Sequence, residues 1–371
     1  MRVLQVNKLY PPTTGGIEKI VRQLAEGLNG RTNTMVLVCR ERGLTKAGHR
    51  NGVKVVRASS LGVFFSMPVS FSFIAYFRFL SHRSDIVQIH TPFPLADLAL
   101  LLSGYKGKVV VWWHSDIVRQ AKLMRFLRPL IEWTLKRADK IIVATEGHIN
   151  GSDYLKPYRD KCVIIPYGQD VIPGEAEVLE AVNRCRNRAG SRTRFLFVGR
   201  LVGYKGCRYL LEALSKVDEA ELTIVGDGPL RQELVSQAEA LGIADRVTFK
   251  PDLSDTMVQQ ELKNCDVLVL PSIERNEAFG LVQIEAMAWG KPVINTDIPS
   301  GVPYVSLDRQ TGLTVPPEDP DALSEAMRLL AEDEELRLRY GAAARKRVEE
   351  YFSSKRMLDS TYGLYESLLE K

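Results

Sequence analysis

The stretch Arg194-Phe-Leu-Phe-Val-Gly-Arg200 decides how this chain folds. Residues 195–198 are aromatic, aliphatic and β-branched, and too few for a helix, so they read as a buried strand. Gly199 turns the chain, and Arg200 and Lys205-Gly206 set two cations just past the strand's C-terminal end. From this strand a pattern runs downstream: short apolar segments at 222–225, 247–250, 267–270 and 292–295, each followed by a helical or turn segment. The same pattern has already run once upstream, at 2–7, 35–39, 86–89, 109–113, 141–144 and 163–165. Its first helix is marked by Ile17, Ile20, Val21, Leu24 and Leu28, with Gly30 as a stop. Strands alternating with helices make a parallel sheet covered on both faces. Because the pattern restarts at Arg194, the expected fold is α/β, with two Rossmann-like doubly wound domains facing a central cleft. Their expected spans are 1–170 and 190–353. Residues 167–191 join them, with Gly168, Pro173 and Gly174 marking the exit from the first sheet.

At 371 residues the chain has room for two separate cores, and 45% apolar with 26% charged residues is an ordinary globular balance. Cys39, Cys162, Cys185, Cys207 and Cys265 are odd in number, scattered and free of CxxC spacing. They suggest reduced cytosolic thiols rather than a disulfide framework or a zinc site. The N-terminus reads as a strand, not a signal peptide. Residues 58–77 carry no charge, but Pro68 and five serines break them, so a loop and then a helix is expected rather than a membrane span.

Charge is unevenly placed. Residues 1–170 hold 25 Lys/Arg and 12 Asp/Glu (+13); residues 171–371 hold 25 and 33 (−8), summing to the +5 of the whole chain. A basic half suggests an anionic partner. Segment 118–140 concentrates it, with Arg119, Lys122, Arg125, Arg128, Lys136, Arg137 and Lys140 around Leu123, Met124, Phe126, Leu127, Ile131 and Trp133. A basic amphipathic helix of this kind suits an anionic membrane surface. No nucleic-acid module is recognisable, so nucleic acid is not expected as a partner.

The stretch Glu277-Ala-Phe-Gly-Leu-Val-Gln-Ile-Glu285 holds two carboxylates on either side of a helix entry at Phe279-Gly280, the helix itself being read at 283–288. Glu277 falls before the helix and Glu285 about two turns into it, on the order of 10 Å apart along the axis. That is too far for one reacting bond and suits the two ends of an extended ligand. The helix N-terminus between them favours an anion. With Arg200 and Lys205 as a phosphate cradle, the implied ligand is a diphosphate flanked by a ribose and a sugar.

These residues carry a resemblance. Gly199-Arg200 with Lys205-Gly206, then Gly226-Asp-Gly228-Pro229, then Glu277 to Glu285 resemble the retaining glycosyltransferases of family 4, and Gly15-Gly16-Ile17-Glu18 resembles that family's first-loop pattern. The resemblance spans essentially the whole chain and implies the GT-B fold, in which the last helix, here 354–371, returns to the first domain. It implies a UDP- or GDP-hexose donor and a glycan or lipid-linked acceptor. It places Gly15, Gly16, Gly199, Gly226, Gly228, Phe279, Gly280 and Leu281 at the donor, the last three through backbone amides. Glu285 would hold the ribose, Glu277 the transferred sugar, Arg200 and Lys205 the diphosphate. His114, directly after a strand, would contact the donor sugar, with Asp116 orienting it; Glu18 starts the first helix, and Glu18, His90 and Asp116 are acceptor-side candidates. No cofactor and no metal are expected: Asp319-Pro-Asp321 reads as a helix cap, not a metal motif. The whole reads as a cytoplasmic enzyme, peripheral at the membrane's inner face.

Two rivals are weighed against this. An NAD-dependent oxidoreductase needs a third glycine, where Gly226-Asp-Gly228 is followed by Pro-Leu-Arg, and an acid after strand two, where Cys39-Arg40 stands. A non-catalytic nucleotide-sugar-binding protein would keep the fold but not every motif residue.

Overall fold

The computed structural model describes residues 1–13, 15–64, 67–116, 121–186 and 192–370; for 63, 64, 67 and 121–125 only the backbone is described. Chain contacts divide it into two compact units, 1–167 with 354–371 and 168–353.

In the first unit the strands are β1 (Arg2–Val6), β2 (Asn33–Cys39), β3 (Lys46–Arg50), β4 (Val53–Ala58), a short antiparallel pair β5 (Val63–Phe64) and β6 (Met67–Pro68), β7 (Ile86–Thr91), β8 (Lys108–Trp113), β9 (Lys140–Val143) and β10 (Cys162–Ile164). The main sheet runs β10-β9-β8-β7-β1-β2-β4-β3 and is parallel except at β3. Strand order reverses between β1 and β7, where loops leaving neighbouring strands diverge and a doubly wound sheet opens a crevice. The helices are α1 (Gly16–Gly27), α2 (Phe71–Ser81), α3 (Pro94–Ser103), α4 (Ala121–Arg137) and α5 (Glu146–Gly151). The uncharged stretch 58–77 thus becomes the β5–β6 pair and the start of α2. No helix among the described residues is long and apolar enough to cross a membrane.

In the second unit, α6 (Glu175–Arg186) precedes β11 (Thr193–Val198). The stretch read as a linker therefore contains a helix, and its Val178 and Ala181 are buried. Then follow α7 (Cys207–Leu214), β12 (Ala220–Val225), α8 (Arg231–Ala240), β13 (Val247–Lys250), α9 (Asp255–Asn264), β14 (Val267–Leu270), α10 (Leu281–Ala288), β15 (Val293–Thr296), α11 (Val302–Val305), β16 (Gly312–Val315), α12 (Pro320–Glu332) and α13 (Glu334–Tyr351). The parallel sheet has the order β13-β12-β11-β14-β15-β16 and reverses between β11 and β14. Both strands carry unbroken apolar runs, buried by helices on either face.

The last helix, α14 (Ser354–Leu369), packs on the first unit. Buried Tyr365 donates to Gln88 Oε1 at 2.6 Å and accepts from Gln5 Nε2 at 2.9 Å, and Arg31 pairs with Asp359 at 2.6 Å. Gln5 and Gln88 are register partners on β1 and β7, so one hydroxyl satisfies the amide nitrogen of the first and the amide oxygen of the second. Tyr365→Phe is expected to leave both unsatisfied and to cost about 1–3 kcal/mol. Urea unfolding checks this: the midpoint should fall at constant slope, and an unchanged midpoint would remove the anchoring role.

Candidate functional site

Of the residues expected at the donor, Gly199, Arg200, Lys205, Glu277, Phe279 and Gly280 lie on the loops that leave β11 and β14, the two strands at the reversal point of the second sheet, and Gly226 and Gly228 follow β12. Gly199 and Arg200 follow β11 directly. Arg200 is exposed, and among the described residues its guanidinium has no hydrogen-bond or ion-pair partner. Lys205 ends a single 3₁₀ turn, Gly203–Lys205, and Gly206 then takes φ +70°. A Cβ on Gly206 would lie 1.9 Å from the Pro271 carbonyl oxygen, so only glycine lets the β11 loop pass this close to the β14 loop. The approach brings Lys205 Nζ into a buried ion pair with Glu277 Oε2, and Ser272 Oγ donates to the same oxygen at 3.2 Å. Burial opposes the charge on Lys205, but the carboxylate beside it more than offsets this and holds the ammonium above its ordinary range. Lys205 and Glu277, assigned by sequence to different parts of a ligand, are thus one charged unit.

Gly226-Asp-Gly228 lies flush against the same loop. A Cβ on Gly226 would stand 2.1 Å from the Gly199 carbonyl oxygen, and Leu201 N donates to Asp227 O at 2.9 Å. Asp252, just past β13, accepts from Asp227 N at 3.0 Å, so segment 249–252 meets the glycine turn. Gly280 is the N-cap of α10 at φ +72°, with no side-chain cap; Gln283 N donates to its carbonyl at 2.9 Å, while the amides of Leu281 and Val282 have no intrahelical acceptor. The helix begins at Leu281 rather than 283, and Glu285, half-buried, is its fifth residue. It therefore stands about one turn in, not two, because residues 277–280 are not helical. The Phe279 ring is buried edge-on against Phe352 at 5.9 Å, which fixes the entry and leaves only its backbone to face a ligand. Asp319 accepts from the amides of Asp321 and Ala322 at 3.1 and 2.9 Å, the cap expected of it.

In the first unit the glycine loop ends at Gly15, the N-cap of α1. A Cβ there would meet the Glu18 carboxylate at 2.2 Å, so Glu18 folds back over the loop and the close approach is local. His90 and His114 form a buried polar relay. Tyr167 OH and His114 Nδ1 lie 2.7 Å apart, His114 Nε2 and His90 Nδ1 2.9 Å apart, and His90 Nε2 stands 2.9 Å from Gln5 Oε1 and 3.2 Å from Gln88 Nε2, so both imidazoles belong to one hydrogen-bonded network. Gln5 then donates to Tyr365, and the rings of Trp112, His90, His114 and Tyr167 stack alongside.

This corrects three expectations. His90 is 1% exposed with both nitrogens bound, because it stands within β7 over the sheet, so its side chain is no acceptor-side contact. His114 is 4% exposed and also has both nitrogens bound, so a sugar hydroxyl would have to displace Tyr167 or His90 to reach one. Asp116 accepts from Trp113 Nε1 at 3.0 Å and Ser152 Oγ at 2.7 Å, and the group orienting His114 is Tyr167. Nothing in the sequence points to Tyr167 or Ser272 except their positions just beyond β10 and β14.

Residues 118–120 of the expected basic helix, and the side chains of Lys122, Leu123, Met124 and Arg125, lie outside the description. The remainder of α4 turns Ile131 and Leu135 into the core, and Arg137 donates to the Gly107 carbonyl at 2.6 Å. The apolar face of that helix therefore belongs mostly to the domain itself.

Residues 14–171 match the family profile described as Glycosyltransferase Family 4, and residues 183–347 that described as Glycosyl transferases group 1. The chain is 35% identical to O-antigen chain mannosyltransferase C of Escherichia coli over 376 residues, covering 100% of this chain and 99% of the relative. The chain belongs to glycosyltransferase family 4. It is also 36% identical to D-rhamnosyltransferase WbpZ of Pseudomonas aeruginosa, covering 95% of this chain and 93% of that one. Among solved structures it resembles sucrose-phosphate synthase from Thermosynechococcus elongatus, with a TM-score of 0.82 at 22% identity over 100% and 99% of the two chains. It also resembles Anabaena HepE in complex with UDP, at 0.81 and 17% over 99% and 100%. At those identities the structural likeness speaks for the fold, which is GT-B. This family member is therefore a glycosyltransferase built on two Rossmann-like domains.

The buried histidines, His90 and His114 in the hydrogen-bonded network and His148 on α5, 2.9 Å from Thr145 Oγ1 through its Nδ1, set a pH dependence. Burial lowers His90 to about 3 and His148 to about 4; it lowers His114 well below the ordinary value, helped by the neighbouring His90 and His148. The unfolded chain binds protons at these residues near pH 6.5 while the folded one does not, so their contribution is present above 6.5 and lost as pH falls through 6.5 toward 4. One unit below 6.5 the loss is about 1.4 kcal/mol per histidine. Tm measured from pH 7.5 to 4.5 should fall steadily below 6.5, and His90→Asn should flatten that fall. An unchanged slope in the variant would show that His90 is not held neutral.

Proposed function

We propose that this protein is a retaining, metal-independent hexosyltransferase. It moves a hexose from a nucleotide-diphosphate sugar, UDP- or GDP-linked, to a hydroxyl of a glycan or lipid-linked saccharide. The observation that carries the reading is the Lys205–Glu277 pair beside the exposed Arg200, whose guanidinium has no partner among the described residues. A diphosphate entering there would meet a preset ammonium, a free guanidinium and the N-terminus of α10. These donors stabilise the charge that grows on the leaving phosphate. Glu277 already shares its charge with Lys205 and a hydroxyl, which makes it a poor nucleophile and a good hydrogen-bond acceptor for sugar hydroxyls. Retention is therefore assigned to front-face displacement assisted by the leaving phosphate. Glu285, deeper in α10, holds the ribose. Mannose and D-rhamnose, named for the two relatives, share the manno configuration, which supports a donor of that configuration.

Steady-state kinetics with a GDP-mannose and UDP-glucose series, in EDTA throughout, test the assignment. Glu277→Gln should lower kcat about 100-fold, because its contacts strengthen as positive charge develops on the sugar. Glu285→Gln should raise donor KM about tenfold with kcat nearly intact, because ribose contacts hold ground and transition states alike. The reverse pattern would exchange the two roles, and activity that needs added magnesium or manganese would overturn metal independence.

A peripheral site on the inner face of an anionic membrane is supported by the surface of the first unit. Three successively packed helices, α2, α3 and α4, expose Phe71 (78%), Phe79, Leu101, Leu102 and Phe126 (80%). Arg78, Arg83, Lys106 and Arg128 are exposed among them, and the Arg83 guanidinium stacks 3.7 Å over the Phe79 ring. Aromatics that insert and cations that meet phosphate suit a lipid surface. Co-sedimentation with phosphatidylglycerol vesicles, and not with phosphatidylcholine ones, is expected, and Phe71→Ser with Phe79→Ser should weaken it about tenfold. Equal recovery with both lipids, or none with either, would overturn the docking surface.

A further inference from the structure

One cluster of nucleophilic and charged side chains takes no part in the proposed reaction. Lys291, just beyond α10, is 3% exposed, and the only partner of its ammonium among the described residues is Cys185 Sγ at 3.6 Å. No carboxylate stands within ion-pair distance of it among those residues. A cation removed from water needs a counter-charge. The group placed to supply one is the thiol, whose proton is lost more readily beside an ammonium.

Cys185 lies in the last turn of α6, half-buried, against the end of α9. When protonated, its thiol donates weakly to the carbonyl oxygens of Asn264 at 3.8 Å and Cys265 at 3.6 Å. The charged groups on the elements around it are mostly engaged with one another. Glu180 pairs with Arg184 and, at 3.8 Å, with Lys263; Arg186 pairs with Glu334; and the Asp266 carboxylate accepts from the Arg194 amide. Among the described residues, the Lys291 ammonium points at the sulfur. The other four thiols are held protonated by burial: Cys39, Cys207 and Cys265 are pushed up to about 12, and half-buried Cys162 to about 11.

We propose that Cys185 and Lys291 form a thiolate–ammonium pair, and that Cys185 is a modification site for hydrogen peroxide and soft electrophiles. With peroxide, the thiolate sulfur bonds to one peroxide oxygen and the O–O bond breaks. The other oxygen leaves as hydroxide and takes a proton to become water. Sulfur is oxidised by two electrons to the sulfenic acid, and peroxide is reduced by the same two.

Pulse alkylation of the full chain with iodoacetamide from pH 5 to 9, read by peptide mass spectrometry, tests this in the wild type. At pH 7, Cys185 should react at least about tenfold faster than Cys162, which is also half-buried, and its midpoint should lie below the ~8.5 of a free thiol. Lys291→Met should slow Cys185 about tenfold and raise its midpoint, while Lys291→Arg keeps both near wild type. After peroxide, a dimedone adduct should form on Cys185 and be lost in Lys291→Met. A wild-type midpoint at or above ~8.5 would overturn the proposal whatever the variants do. So would a rate indifferent to Lys291→Met in protein with wild-type circular dichroism, or a dimedone adduct that avoids Cys185.

Discussion

The reversal point of the second sheet depends on one buried ion pair. Lys205 and Glu277 stand on loops leaving β11 and β14, which are neighbours in space but separated by two complete strand–helix units in the chain. Each charge alone would be costly to bury, and together they are tolerable only because the Gly206 backbone lets the loops approach and Ser272 satisfies one carboxylate oxygen further. The pair therefore acts as a clasp at the reversal point of the sheet. It fixes how closely the two loops approach each other at the strand ends.

A different solution appears in the first unit. There the polar side chains at the centre of the sheet are neutral and linked head to tail, from Tyr167 through both histidines to Gln5, Tyr365 and Gln88. In such a network the proton position on each imidazole is tied to the partners on both of its nitrogens. The stacked rings of Trp112 and Tyr167 hold the imidazoles in place and keep water from them.

Much of the fold was legible in the sequence because buried parallel strands are unbroken apolar runs. Strand β13, at 247–250, and β14, at 267–270, were read to the residue. Strand β3 was not, since Lys-Ala-Gly-His-Arg at an exposed edge is held by backbone bonds that leave no pattern in side chains. Helix α6 was taken for a linker because Gly168, Pro173 and Gly174 outweighed the helix-forming residues that follow. In the candidate site the cations, glycines and carboxylates were legible as types at a spacing. Their pairing was not: Lys205 meets Glu277, and His114 meets Tyr167 and His90, through strand order, which a linear reading does not contain. The same holds for Tyr365, whose partner Gln88 is 277 residues away.

That last contact bears on biosynthesis. The first unit is closed by residues from the far end of the chain, while the second, 168–353, is continuous. A ribosome that has released the whole first sheet has not yet made Tyr365, so Gln5 and Gln88 must wait with unmet amides while the second unit is synthesised and can already fold. The usual N-terminal-first order of domain completion is inverted here. The growing polypeptide exposes an unfinished sheet face until its final helix emerges, and that interval is when a chaperone would have something to hold.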